Sequence, residues 1–407
     1  MTALDAYVPF VGQTTIDELR ALGDRLRGRV IQHVNSTAVG GGVAEILHRL
    51  VPLTRELGLD TRWDVVRGGE AFFALTKRLH NGLHGGPGTF GEGDHAVFRE
   101  TTDENLALLE LGDDVVFIHD PQPLGLIEGL RHPSRSVWRC HIDVSAPDPQ
   151  AWEFIRPWVE RFGAAIFSAP QFARDLRMDQ FLVAPSIDPL SDKNRDLEPE
   201  VVRETAIRYG LDPSRPIVTQ ISRFDRLKDP LGVIEAFRSV RRYNDCQLLL
   251  AGGGANDDPE GHQVLAECRE RAAGDPDIHV LELPPTANLE INALQRASTV
   301  IVQKSLREGF GLTVTEALWK GKPVIATATG GIPLQIAHKY SGILTHSVEG
   351  TAYWLKQLLN APDYARWLAT NGREHVRHNF LLIRHLREYL LLVVALDHPG
   401  ETLIRLG

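Results

Sequence analysis

Apolar and polar positions along the chain alternate between two textures. Short β-branched or aliphatic runs at 30–34, 115–118, 136–140 and 164–168 read as strands, and the longer amphipathic stretches between them read as helices. The first run is followed by Gly40-Gly41-Gly42 and then by a stretch in which Val43, Ile46, Leu47 and Leu50 share one helical face. The segment 186–200, with Pro189, Pro199 and several charges, has no period and reads as a linker. A second series then begins, with runs at 216–221, 247–251, 278–281, 299–303 and 323–326 interleaved with helical stretches such as 231–240 and 314–319. Alternation of this kind marks βαβ units and parallel sheets, so the pattern predicts an α/β chain of two Rossmann-like domains. The final stretch, 380–396, is amphipathic at its start and apolar on nearly all sides at its end. It is expected to be a largely buried helix that crosses back onto the first domain. The expected domains are therefore 1–188 with 379–407, and 189–378.

Composition narrows the class. The chain has 407 residues, 43% hydrophobic and 24% charged, which excludes disorder and collagen-like repetition and suffices for two domains with their own cores. Acidic side chains outnumber basic ones, 53 to 44, for a net charge of −9. No basic footprint for nucleic acid or an anionic membrane is present, although a local Arg/Lys cluster could still hold a small anion. Cys140, Cys246 and Cys268 are odd in number, far apart and without CxxC spacing, so neither a disulfide framework nor a zinc site is expected. A reducing, cytoplasmic compartment fits best. The N-terminal residues are partly acidic with no apolar signal core, and the longest greasy run, 390–396, is far below the roughly 20 residues that span a bilayer.

Two clusters could carry chemistry. Ser305-Leu306-Arg307-Glu308-Gly309-Phe310-Gly311-Leu312-Thr313 follows a strand and opens a helix that contains Glu316. Glycines there let a ligand approach the backbone, and the helix N-terminus favours a phosphate or a hydroxyl oxygen. Acidic residues that merely satisfy the helix dipole would look the same. The second cluster, Ser222-Arg223-Phe224-Asp225-Arg226-Leu227-Lys228-Asp229, follows the strand 216–221. At the carboxyl end of a parallel strand Arg223 and Lys228 can converge on a diphosphate, or they can simply pair with Asp225 and Asp229 on an exposed loop. Both clusters sit at strand ends of the same domain, which favours the ligand reading. In the first domain the Gly40-Gly41-Gly42 turn is anion-friendly but fits neither a dinucleotide fingerprint nor a Walker A motif. His119-Asp120 and Cys140-His141-Ile142-Asp143 each lie at a strand end, expected on the rim of an interdomain cleft. Asp275-Pro276-Asp277 matches D-x-D, yet its proline and its position before a strand read as a turn, so no protein metal site is expected.

With these residues in place the chain resembles the retaining glycosyltransferases of family 4, which have the two-Rossmann GT-B fold, and whose hallmark is E-x7-E after a glycine-rich turn with an upstream Arg and Lys. Within them it is most similar to the trehalose glycosyltransferring synthases and trehalose phosphorylases. That likeness rests on His33-Val34-Asn35-Ser36, Thr76-Lys77 with His80-Asn81, Ile118-His119-Asp120-Pro121-Gln122-Pro123, Trp138-Arg139-Cys140-His141-Ile142-Asp143 and the two clusters above. The resemblance implies two facing domains with the following roles. Arg223 and Lys228 hold the donor diphosphate, and Glu316 binds the ribose hydroxyls. Glu308 holds the transferred glucose together with the backbone of Gly309, Phe310 and Gly311, next to Leu312 and Thr313. Gly41 and Gly42 touch the phosphates from the first domain, and His141 lies near the glucose C6 hydroxyl and the reacting centre. His119, Asp120, Asp143, Lys77 and Asn81 present the acceptor glucose. One departure is Ser222, where many members have Gly, which is expected to make the backbone there less permissive.

The implied reaction makes trehalose reversibly from a nucleoside-diphosphate glucose and free glucose, with no tightly bound cofactor and with a role for Mg2+ left open. With no carboxylate placed as a covalent nucleophile, retention requires attack on the face from which the nucleotide leaves, with the departing phosphate as base. Domain closure would exclude water. Two other readings stay open. One is a trehalose phosphorylase, which usually carries a longer N-terminal region; the other is a catalytically silent protein that binds a sugar nucleotide. Partners are expected to be small molecules (the sugar nucleotide, glucose and trehalose), with a homodimer left open.

Overall fold

The computed structural model describes residues 3–39, 41–112, 114–253 and 259–401, so Gly40 lies outside the described residues. The chain divides into one unit of Met1–Pro185 with Leu382–Gly407 and a second of Ser186–Leu381. The first holds β1 (Val30–Asn35), β2 (Asp60–Val65), β3 (Val115–His119), β4 (Ser136–Arg139), β5 (Ala164–Phe167) and β6 (Asp179–Leu182). They pair in parallel in the order β2-β1-β3-β4-β5-β6. Every residue of β3, β4 and β5 is buried. A strand covered on both faces has no exposed side to mark with polar residues, which is why β3 and β5 stand out in the sequence as near-continuous apolar runs, while β4 also buries Ser136 and Arg139.

The second unit holds β7 (Ile217–Ile221), β8 (Gln247–Gly252), β9 (Ile278–Glu282), β10 (Val300–Gln303), β11 (Val324–Thr327) and β12 (Ile343–Thr345), in the parallel order β12-β11-β10-β7-β8-β9. Each sheet reverses its order once, between β1 and β3 and between β7 and β10. In open parallel sheets ligands bind beyond the carboxyl ends of the strands at such a reversal. Both candidate clusters of the second unit leave from the β7 and β10 ends, and His119 ends β3.

Three strands, β2, β6 and β12, are absent from the sequence pattern. All three are sheet edges. An edge strand is paired on one side only and is commonly short or polar, as Asp179–Leu182 and Ile343–Thr345 are here, so its signal is weak. The stretch 186–200 has no period but is pinned in place: Asn292 Nδ2 donates to the carbonyls of Asp192 and Arg195, both at 2.8 Å.

The helix Leu382–Leu396 belongs to the first unit and packs on the helices Gln13–Arg25 and Gly41–Glu56. Arg387 Nη2 pairs with Glu18 at 2.7 Å, and Arg384 Nη2 donates to the Ala184 carbonyl at 2.7 Å. Leu386, Leu390 and Val393 are fully buried, each contributing roughly 1.5–3 kcal/mol. Among the described residues no helix is long and apolar enough to cross a membrane.

Candidate active site

In the second unit the loop after β7 is built by two aspartates. Asp225 accepts from the Leu227 N–H at 2.6 Å and starts a single 3-10 turn, Arg226–Lys228. Asp229 then adopts φ +47°, tolerable for Asp, and caps the helix Pro230–Arg241 by accepting from the Gly232 N–H at 3.1 Å. The proline at the first helical position suits its fixed φ. Lys304, just past β10, pairs with Asp229, and the Leu306 N–H donates to the Leu227 carbonyl at 2.7 Å. The two loops are thereby tied to each other.

This frame aims Lys228 Nζ at Glu308 Oε2, 2.7 Å away, and that same oxygen accepts from Ser305 Oγ at 3.1 Å. Gln220 Nε2 holds the Lys228 carbonyl at 2.8 Å. Arg223 pairs with Asp225 at 3.1 Å, but its side chain is 59% exposed and can swing to a ligand. The expected backbone penalty at Ser222 does not arise, because it is not among the residues with positive φ. The crowding falls on Gly252 instead, where a Cβ would sit 1.8 Å from the Ser222 carbonyl.

The glycine-rich turn shapes the other wall. Gly311 has φ +83° and precedes the helix Leu312–Trp319, whose first N–H groups have no intrahelical partner. Gly330, at φ +53°, passes so close that a Cβ would lie 1.6 Å from the Glu308 carbonyl. Gly331 donates to the Gly309 carbonyl at 2.9 Å, while the Phe310 ring packs on Phe380 with centroids 5.6 Å apart. Thr313 Oγ1 donates to Gln303 at 3.4 Å. Glu316 is 1% exposed; Oε1 pairs with Lys193 at 3.2 Å, while Oε2 is buried with no protein partner. A buried carboxylate oxygen left open in this way suits a ligand hydroxyl. Beneath it, Lys320 Nζ donates to Asn194 Oδ1 at 3.0 Å, and burial pushes its pKa down to about 7, partly opposed by the Glu316 carboxylate.

In the first unit Gly41 and Gly42 open the helix Gly41–Glu56 directly beyond β1. His33 on β1, His119 at the end of β3 and His141 just past β4 lie in a row. His33 Nδ1 is 3.1 Å from His119 Nε2, and His119 Nδ1 is 3.1 Å from His141 Nε2. His119 is 2% exposed, and both of its ring nitrogens face the other two histidines. Asp120, in the left-handed region at φ +62°, accepts from the His141 N–H at 2.7 Å, and burial pushes its pKa up to about 6. Asp143 accepts from the Ser145 N–H at 3.0 Å and from its hydroxyl at 2.6 Å. Lys77 and Asn81 stand one turn apart on the exposed face of the helix Glu70–Leu83.

Asp277 is 6% exposed and held by Arg215, at 2.7 Å, and by Arg241, so D-x-D is an anchor for two arginines. Among the described residues no group of three or more His, Cys, Asp or Glu could hold a metal ion. Ser305 and His33 lie within motifs quoted above but without a role of their own, and Lys193 lies outside every motif. Ser305 and Lys193 act only once the fold brings distant segments together. His33 carried one signal, a histidine near a predicted strand end beside the glycine turn.

Comparison with known proteins places these features in context. Residues 33–174 match the family described as "Trehalose synthase, N-terminal domain", and residues 202–375 match "Glycosyl transferases group 1". The chain is 42% identical over 404 residues to a trehalose synthase of Rubrobacter xylanophilus, covering 97% of each chain. A trehalose phosphorylase of Pleurotus pulmonarius is 30% identical over 454 residues, covering 96% of this chain and 60% of that one. Among solved structures, the fold is similar to that of Anabaena HepE in complex with UDP and glucose, with a TM-score of 0.71 at 16% identity, over 90% of this chain and 100% of that one.

Proposed function

The chain belongs to the trehalose synthase family of glycosyltransferases with the GT-B fold, and on that premise we propose that it makes trehalose reversibly from a nucleoside-diphosphate glucose and free glucose, with retention at the transferred anomeric carbon. What carries the reading is the β7/β10 reversal, where tied loops deliver Lys228, Glu308 and, one turn into the next helix, Glu316.

In this reading Arg223 and Lys228 take the diphosphate, and the buried Glu316 Oε2 accepts from the ribose hydroxyls. Glu308 and the backbone of Gly309, Phe310 and Gly311 hold the glucose, with Leu312 and Thr313 at the helix start. The pairing of Lys228 with Glu308 supports this, because one cation then neighbours both the phosphate site and the sugar site. As the bond to the phosphate breaks, negative charge grows on the leaving oxygen. Lys228 and the N-terminus of the helix Leu312–Trp319 would stabilise it, joined by Arg223 once its exposed side chain turns from Asp225 to the phosphate. With no carboxylate serving as a covalent nucleophile, the acceptor hydroxyl attacks from the leaving-group side and gives its proton to the departing phosphate. Retention follows from that geometry.

The first unit presents sugar. His141 addresses the transferred glucose, and Asp120, Asp143, Lys77 and Asn81 receive the acceptor, while Gly41 and Gly42 supply N–H groups to phosphate. The three free, buried cysteines suit a reducing compartment such as the cytoplasm.

Incubating the protein with trehalose and UDP or ADP, in parallel with trehalose and phosphate, tests the reading. A sugar nucleotide and free glucose are expected from the first mixture. Glucose 1-phosphate from the second alone would assign a phosphorylase, and nucleotide binding without turnover in either would assign a silent binding protein.

A further inference from the structure

His33 lies within β1 two residues before its end, His119 ends β3 and His141 lies just past β4, on three adjacent strands of one sheet. Their ring centroids are 5.3 Å apart for the first pair and 5.4 Å for the second, close to the span expected when the bonded nitrogens lie on the line between the rings. The planes of His119 and His141 differ by 13°. These are well-directed bonds in the ring plane. The far end is fixed as well, because His33 stacks on Phe117 at 4.9 Å and lies against Tyr389 at 6.0 Å.

A neutral imidazole has one N–H and one bare nitrogen, and His119 uses both. If its Nδ1 carries the proton it donates to His141 Nε2, so His141 must hold its own proton on Nδ1. The bare Nε2 of His119 must then accept from His33 Nδ1. If His119 instead carries the proton on Nε2, all three rings carry it on Nε2. Mixed arrangements leave two protons, or none, facing each other across a 3.1 Å contact.

We propose that His33 and His119 are positioning residues for His141: the three rings act as one hydrogen-bonded chain, all protonated at the same ring nitrogen, so the chain sets whether His141 Nδ1 offers a donor or an acceptor to the sugar. The sugar contact rests on the reading of His141 given above; the coupling of the rings does not.

The surroundings keep the chain uncharged. Burial lowers the pKa of all three rings, and for His33 it brings the value to about 3. The buried Arg139 guanidinium acts in the same direction on His119 and His141. Protonating the middle ring would give it two N–H groups and break the matched pattern.

The test is a two-bond 1H–15N spectrum of the full-length protein labelled with 15N-histidine, with the rings assigned by single substitutions. The expected result is that His33, His119 and His141 are neutral at pH 7 and share one tautomer. An imidazolium among them, or mixed tautomers, would overturn the proposal. His33→Phe keeps a ring between Phe117 and Tyr389 but removes the nitrogen facing His119. It is expected to split the His141 signal between tautomers and to lower kcat by about tenfold, with KM for the nucleotide sugar little changed. His33→Gln, whose amide can donate or accept, is expected to restore one His141 tautomer and most of kcat. Equal losses in both variants with an unchanged His141 spectrum would mean that His33 only packs. The spectra need no turnover, so they decide the coupling even if the synthase reading fails.

Discussion

Lys228 and Glu308 are 80 residues apart in sequence and 2.7 Å apart in the fold, joined because their loops leave neighbouring strands on either side of the β7/β10 reversal. Neither side chain has a helix of its own to hold it. Asp225, Asp229, Ser305 and the Leu306–Leu227 backbone bond do that, so the protein's own groups hold the pair.

Replacing Lys228 with Ala is expected to lower kcat/KM by at least about tenfold, since a charge-assisted contact contributes about 1.5–3 kcal/mol. Steady-state kinetics beside a thermal melt checks this. Wild-type kinetics in the variant would remove Lys228 from the site.

Glu316→Ala is expected to weaken nucleotide binding by a similar factor, by removing the carboxylate whose Oε2 has no protein partner. Calorimetric titration with UDP and ADP measures it. An unchanged Kd would assign Glu316 to the support of Lys193 and Lys320 alone.

The buried Lys320 makes stability depend on pH. Its folded pKa, about 7, lies below the ordinary lysine range, so between the two the unfolded chain binds one more proton than the folded one. This residue's contribution to stability therefore rises with pH from about 7 into the ordinary lysine range. Lys320→Met is expected to flatten the rise of Tm between those limits, as thermal melts across a pH series would report. Parallel Tm profiles for variant and wild type would contradict it.

Asp120 has the opposite sign. With its pKa up at about 6, the folded state binds the extra proton, so the stability it contributes in acid is lost as pH rises through about 6. Asp120→Asn keeps an oxygen for the His141 N–H and tolerates φ +62°, so it is expected to keep Tm at or above wild type at pH 8. Asp120→Ala loses that acceptor and strains the turn by about 1–2 kcal/mol, and is expected to melt lower.

At Gly330 a methyl group has no room, because a Cβ would fall 1.6 Å from the Glu308 carbonyl and φ is +53°. Gly330→Ala is expected to lower both Tm and kcat by displacing Glu308. A variant with unchanged kcat would mean that the turn can move without disturbing the carboxylate.

The strands most legible in the sequence are those buried on both faces, such as β3, β7 and β10, while the edges β2 and β6 escaped notice because much of their surface is not buried, and the edge β12 because it is only three residues long. Arg223, Lys228, Glu308 and Glu316 could be singled out because each lies in a short motif at a strand end. The histidine row could not. His33 and His119 are 86 residues apart, and only the strand order β1-β3-β4 makes neighbours of the three rings. Lys193 sat in a stretch without periodicity, and nothing in that stretch announces the Glu316 carboxylate it meets.

The most direct measurement is 1H NMR of the product formed from a nucleoside-diphosphate α-glucose and 13C-labelled glucose. A single α,α-linked trehalose, with one labelled and one unlabelled half, is the expected result. A β-linked disaccharide, or release of glucose with no disaccharide, would contradict a retaining trehalose synthase.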